Sequence, residues 1–191
     1  MFYHSMLWQM PKKEKKLYLT FDDGPNEGIT TEILKVLDEY HAKATFFCLG
    51  KNVALCPELL ETIKQKGHQI GNHTYSHLNG IKTPLNAYLN DIEKADTLIR
   101  SKLLRPPYGK ISVRQIKRLK KRFRIVAWSV IAYDWDKTFS PEQCLNAILK
   151  QAENGSIIVL HDSEKAKTTM LSVLPRLLEH YSDLGYEFAT L

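Results

Sequence analysis

Several things are scarce in this chain, and each shortage removes a class of protein. Its 191 residues include only three cysteines, Cys48, Cys56 and Cys144, an odd number without Cys-x-x-Cys spacing. A disulfide-stapled scaffold is therefore not expected, and the thiols read as free. No stretch approaches the roughly 18 consecutive apolar residues of a membrane span. The opening MFYHSMLWQMPKKEKK has its lysines after a short apolar part and no small-residue cleavage site, which makes a poor signal peptide. The chain as it stands reads as soluble and cytoplasmic; an exported or cell-envelope location follows if a leader has been removed. Internal repeats and low-complexity linkers are also lacking, so the expected organisation is an N-terminal extension over 1–15 and a single domain over 16–191.

Apolar residues make up 43% of the chain, enough for a substantial core. The net charge of +6 favours loose attraction to anionic polymers and says nothing of fold. Much of it sits in RQIKRLKKRFR (114–124), where Val113, Ile116, Leu119 and Phe123 recur at helical spacing. That pattern describes a helix with a solvated cationic face. No nucleic-acid-binding signature accompanies it, and no nucleic-acid partner is expected.

Strand-like and helix-like segments alternate. Strands are predicted at 16–21, 44–49, 68–71, 102–104, 124–130, 156–160 and 186–189. Between them lie helices, one after Thr30 or Thr31 as cap, one beginning at Pro57 and stopped by Gly67, and others over 84–100, 112–122 and 168–181. SPEQCLNAILKQAENG carries the fullest set of helix signals: Ser140 as cap, Pro141 next, Gln143 three residues on and Asn154-Gly155 at the close. About seven strands with helices between them indicate an α/β fold with a parallel sheet, closed like a barrel or doubly wound.

The unusual polar clusters fall just after predicted strands, where α/β proteins gather their sites. Asp22 and Asp23 are adjacent carboxylates in TFDDGP, and their mutual repulsion calls for a positive partner. His73 and His77 in HTYSH are four apart, one turn if that segment is helical. Two imidazoles and one carboxylate make a three-ligand set for a divalent metal that leaves a position open. Neighbouring side chains on an extended segment point opposite ways, so one aspartate ligates and the other is left for proton chemistry. His161 follows the buried run SIIVL, at the same end of the sheet. In RPPYG the prolines stiffen the loop and cannot donate, so Tyr108 offers the first backbone N–H, while Arg105 can pair with the free carboxylate. Asp134 and Trp135 end another strand, where an aromatic ring suits a sugar face; Trp128, within that strand, reads as core.

TFDDGP, HTYSH, RPPYG, the Asp134-Trp135 pair and IVLHD (158–162) stand in the order and spacing of the five motifs of the polysaccharide deacetylases, the NodB-like carbohydrate esterases of family 4. The chain resembles that family over about residues 16–191. The resemblance implies a distorted (β/α) barrel of about seven parallel strands, and a monomer that removes N-acetyl groups from amino-sugar glycans, peptidoglycan or chitooligosaccharides, with release of acetate. O-acetyl xylan esterase activity and a non-catalytic glycan-binding module are the alternatives on the same fold. One divalent metal is implied, zinc first, with cobalt, nickel or manganese as substitutes. By the resemblance Asp22 matches the base, Asp23, His73 and His77 the metal ligands, and Arg105 the partner of the base. Tyr108 matches the residue whose N–H holds the oxyanion, His161 the general acid, Asp134 the carboxylate that orients it, and Trp135 and Leu160 the apolar walls around the acetyl methyl. Ile131 stands where many members carry an aspartate, which bears on substrate preference.

Overall fold

The computed structural model describes residues 5–191. Strands β1 (Lys16–Asp22), β2 (Ala44–Cys48), β3 (Gln69–Asn72), β4 (Leu103–Leu104), β5 (Arg124–Ile125), β6 (Val130–Ile131), β7 (Ile157–His161) and β8 (Glu187–Phe188) alternate with helices α1 (Ile29–Glu39), α2 (Gly50–Leu55), α3 (Pro57–Gln65), α4 (Leu85–Ile99), α5 (Val113–Leu119), α6 (Pro141–Gln151) and α7 (Lys167–Asp183). The sheet is parallel throughout, in the order β5-β4-β3-β2-β1-β7-β6, with β8 paired to the start of β1.

The expected strand over 124–130 is one extended run used twice. Its start pairs with β4 and its end with β7, so a single segment supplies both ends of the sheet. The sheet must curl to allow this, and the result is half-barrel-like. Residues before β1 help to fill the remaining gap: Leu7 pairs with Val126, and Gln9 with Ser156.

Ser140 and Gln143 form the capping box that begins α6, with Pro141 in the first turn. Thr30 does not cap α1. The helix starts two residues earlier, at Ile29 after Gly28, and the Thr30 hydroxyl instead accepts from the Asn26 N–H and donates to the Asp162 carboxylate. The short helix α2 has no counterpart in the sequence reading, because six residues are too few to show a period.

The core has two sides. Leu19, Phe21, Ile158 and Leu160 point outward from the sheet and are buried beneath α1, α6 and α7 with Ile33, Leu37, Ile148 and Leu174. Each such side chain, fully buried, contributes roughly 1.5–3 kcal/mol. Tyr18, Phe47, Leu103, Val126 and Ile157 pack together in a separate cluster inside the curl. This interior plug lies below the C-terminal end of the strands, which opens into a cleft.

Candidate active site

Strand alternation decides what reaches that open end. With Leu19 and Phe21 outward, Tyr18, Thr20 and Asp22 face inward; with Ile158 and Leu160 outward, Ile157, Val159 and His161 do the same. Asp22 and His161 thereby border one cleft of about 490 Å³.

Beneath the cleft lies Arg105, wholly buried. Its guanidinium lies 4.2 Å from the centre of the Phe47 ring and 5.8 Å from that of Trp128. Nη1 donates to Thr20 Oγ1 at 2.7 Å and to Asp22 Oδ1 at 2.8 Å, and Nη2 donates to the Ala127 carbonyl at 2.8 Å. Residue 71 is a glycine because the Phe47 ring occupies the place of a Cβ there. Burial works against the guanidinium's charge and holds its pKa below the usual value, with Asp22 offsetting part of the loss. Removing one partner of such a pair typically costs roughly 3–5 kcal/mol.

Asp23 answers the question of the adjacent carboxylates. Its φ of 79° turns the chain out of the strand, so Asp22 enters the interior while Asp23 swings toward the histidines. Asp23 Oδ1 lies 3.1 Å from His77 Nε2 and 3.6 Å from His73 Nε2. It is buried, yet no hydrogen bond of sound geometry reaches it. Ligand atoms of Asp23, His73 and His77 all lie within 4.8 Å of one another. The histidines do not share a helical turn. They flank a loop in which Thr74 and His77 have left-handed φ, with the Asp91 carboxylate accepting from the N–H groups of Tyr75 and Ser76.

This donor set fits a divalent cation. His73 Nδ1 is 2.8 Å from the Arg105 carbonyl, which places a proton on Nδ1 and leaves Nε2 as a lone-pair donor. His77 Nδ1 is 3.0 Å from the Tyr108 hydroxyl. Burial holds His73 below the ordinary imidazole range and so keeps it neutral, as a ligand must be. For Asp23, burial pushes upward, but the adjoining His77 and the other imidazoles around it outweigh that and hold the carboxyl at about 2.

On the strand next to Asp22, His161 is gripped twice by Asp134. Oδ1 is 2.9 Å from Nδ1, and Oδ2 accepts from the His161 backbone N–H at 2.7 Å. Burial lowers the imidazole's proton affinity, and the Asp134 hydrogen bond and charge more than restore it, so His161 ends above its ordinary value. The Trp135 ring stands edge-on to His161 at 4.6 Å.

Tyr108 sits in a short 3-10 turn (Pro107–Gly109) with φ 60°, and the residue is 60% exposed. The sequence pointed to its backbone N–H; its hydroxyl contact with His77 was not foreseen. Leu160 is the expectation that geometry reverses. It is fully buried on the outer face of β7, and Val159, one residue earlier, lines the cleft instead. Trp128, read as core, packs half-buried against the interior cluster and also lines the cleft, its ring tip against Gly109.

An α/β half-barrel with a carboxylate–imidazole metal triad, an arginine-held carboxylate and a carboxylate-held histidine defines a metal-dependent hydrolase. Residues 9–122 match the polysaccharide deacetylase family model. The chain is 36% identical to a peptidoglycan-N-acetylglucosamine deacetylase from Bacillus cereus over 189 residues, 95% of this chain and 68% of that relative. The crystal structure of a peptidoglycan N-acetylglucosamine deacetylase in complex with 4-naphthalen-1-yl-N-oxidanyl-benzamide superposes with a TM-score of 0.93 at 34% identity, covering 98% of this chain and 91% of that one. Peptidoglycan deacetylase PdaC from Bacillus subtilis gives 0.86 at 30% identity, covering 95% and 90%. The chain belongs to the polysaccharide deacetylase family. It is a metal-dependent enzyme that hydrolyses N-acetyl amide bonds other than peptide bonds and releases acetate.

Proposed function

We propose that the substrate is peptidoglycan, with N-acetylglucosamine as the sugar deacetylated, and that zinc is the native metal. The similarity to peptidoglycan-N-acetylglucosamine deacetylases of Bacillus cereus and Listeria monocytogenes supports the substrate. N-acetylmuramic acid is the neighbouring choice, since the chain is also 32% identical to a peptidoglycan-N-acetylmuramic acid deacetylase of Bacillus subtilis. The oxygen and two imidazole nitrogens of Asp23, His73 and His77 suit zinc, with cobalt, nickel or manganese as replacements. A monomer is sufficient, because one chain supplies every proposed role. Among the described residues no helix is long and apolar enough to cross a membrane.

The observation that carries the mechanism is that Asp22 and His161 border the same cleft as the triad, each locked by a buried partner. The ion, when bound, polarises the acetyl carbonyl and eases ionisation of water. Asp22, held by Arg105, takes the proton from the attacking water. The Tyr108 N–H donates to the oxyanion that forms as the carbonyl carbon becomes tetrahedral; one such donor is typically worth roughly 3–4 kcal/mol. His161, kept protonated by Asp134, gives its proton to the departing nitrogen as the carbon–nitrogen bond breaks, leaving acetate and a free amine. Trp135 and Val159 wall the acetyl methyl.

Acetate release measured on peptidoglycan, chitooligosaccharides and acetylated xylan, with zinc, with cobalt and after chelation, tests the proposal. Turnover should be highest on peptidoglycan with zinc and vanish after chelation. Greater activity on acetylxylan would replace the amide reading with an ester one.

A further inference from the structure

Beyond His161 the chain turns tightly into α7. The Ser163 carbonyl accepts from the N–H groups of Ala166 at 3.0 Å and Lys167 at 2.9 Å, which fixes the backbone of the turn. Glu164 is drawn toward Lys167, 4.0 Å away. The residue between, Lys165, lines the catalytic cleft beside Ser163, and among the described residues it is the only lysine or arginine to do so.

The remaining charges around the cleft are already matched. Asp22 is held by Arg105, Asp23 by His73 and His77, and Asp134 by His161. Asp136, on the loop after Trp135, accepts from the Thr138 N–H at 2.9 Å and hydroxyl at 2.7 Å, and interacts with Lys165 only through longer-range charge. Lys165 itself makes no ion pair among the described residues. The same wall is otherwise apolar, formed by Ile131, Trp135 and Val159. With every carboxylate of the cleft engaged elsewhere and no ion pair of its own, the Lys165 ammonium has its best partner in an anion that enters with the substrate.

We propose that Lys165 is a specificity-determining residue that receives a carboxylate carried by the glycan. This rests on the amide-hydrolysing cleft reading the amino sugars of peptidoglycan, and it adds the feature by which a wall polymer is told from a neutral one. Two carboxylates share that chemistry, the lactyl group of muramic acid and the free carboxylates of the stem peptides. Lys165 touches neither the reacting atoms nor the triad, so its contribution falls on binding.

The test compares the zinc-loaded wild type with Lys165→Gln, Lys165→Arg and Lys165→Glu on three substrates: a neutral chitooligosaccharide, stem-free glycan strands with lactyl carboxylates, and stem-bearing strands. Lys165→Gln should raise KM about three- to tenfold on a carboxylated glycan with kcat unchanged, and leave the chitooligosaccharide untouched. Lys165→Glu should go further, and Lys165→Arg should retain wild-type KM. High salt should erase the difference between wild type and Lys165→Gln. A KM effect already present on stem-free strands assigns the lactyl carboxylate, and one confined to stem-bearing strands assigns the peptide; both support the proposal. Equal KM changes on neutral and carboxylated glycans, or none on either, overturn it. Wild-type enzyme that releases no acetate from any of the three overturns the peptidoglycan reading itself, and the inference falls with it.

Discussion

Asp22 and His161 are register partners on neighbouring parallel strands, with both side chains on the inner face of the curl. Parallel strands lie about 4.8 Å apart, so the backbone ladder itself holds the proposed base and acid next to one another at the mouth of the cleft. Neither depends on a loop for its place. The loops bring what surrounds them, namely Asp23, His77, Tyr108 and Asp134.

Asp22→Asn should lower kcat by roughly 10²–10⁴-fold while metal content stays near one ion per chain. The amide oxygen still accepts from Arg105, which limits the cost of leaving the buried guanidinium without its counter-charge, and a thermal melt on the same sample confirms the fold. Acetate release and elemental analysis on the same sample check this. Metal lost together with activity would mean that the roles of Asp22 and Asp23 have been exchanged.

Asp134→Asn should move the alkaline limb of the rate profile to lower pH. Asp134 is what lifts His161 above its ordinary value, so without that charge the proton leaves earlier as pH rises. A pH series of kcat on wild type and variant measures the shift, and an unmoved limb would remove His161 from the acid role.

Val159 and Leu160 should separate function from stability. Leu160→Ala opens a cavity under the helices and should cost roughly 2–5 kcal/mol in unfolding free energy. Val159→Phe should leave Tm within a few degrees and reduce kcat/KM more than tenfold by filling the cleft. Denaturant melts and kinetics on the pair decide it.

Asp162 should make the fold lose stability as pH rises from acidic to neutral. Its carboxyl is fully buried, bonded to Thr30, and its Oδ1 has no partner. Burial, aided by the charge of Asp23 and opposed by the Thr30 and Asn26 hydrogen bonds, lifts its pKa to about 7. The unfolded chain releases this proton near about pH 4. The folded state therefore binds more protons between those values, and this group's stabilising share, complete below pH 4, is lost as pH rises through 7. Asp162→Asn should gain on wild type by roughly 2–4 kcal/mol between pH 4 and pH 8, read from Tm or denaturant midpoints at each pH. Parallel pH dependence in the two proteins would show that Asp162 is ionised throughout.

Much of this was legible along the chain. Alternating strand and helix patterns, the Ser140–Gln143 capping box, and polar clusters at strand ends are local signals, set within a few residues by backbone sterics, capping and turn chemistry. The family motifs carried the residue types of the metal triad and of the Arg105 and His161 pairs. The split use of residues 124–131 was not legible, because both pairings of that run are made with strands distant in sequence.

By itself, then, the sequence determined most of the elements, short α2 and the split of 124–131 apart, and which reactive groups stand at their ends, since propensity and motif spacing act over short range. Tertiary structure alone decided the phase of each strand and hence that Val159, not Leu160, meets the cleft. It also decided that Asp22 turns inward while Asp23 turns to the histidines, and that Trp128 and Lys165 border the same space. The physical reason is the same in each case: a side chain's face depends on which strand its neighbour is paired to and on how far the sheet has curled.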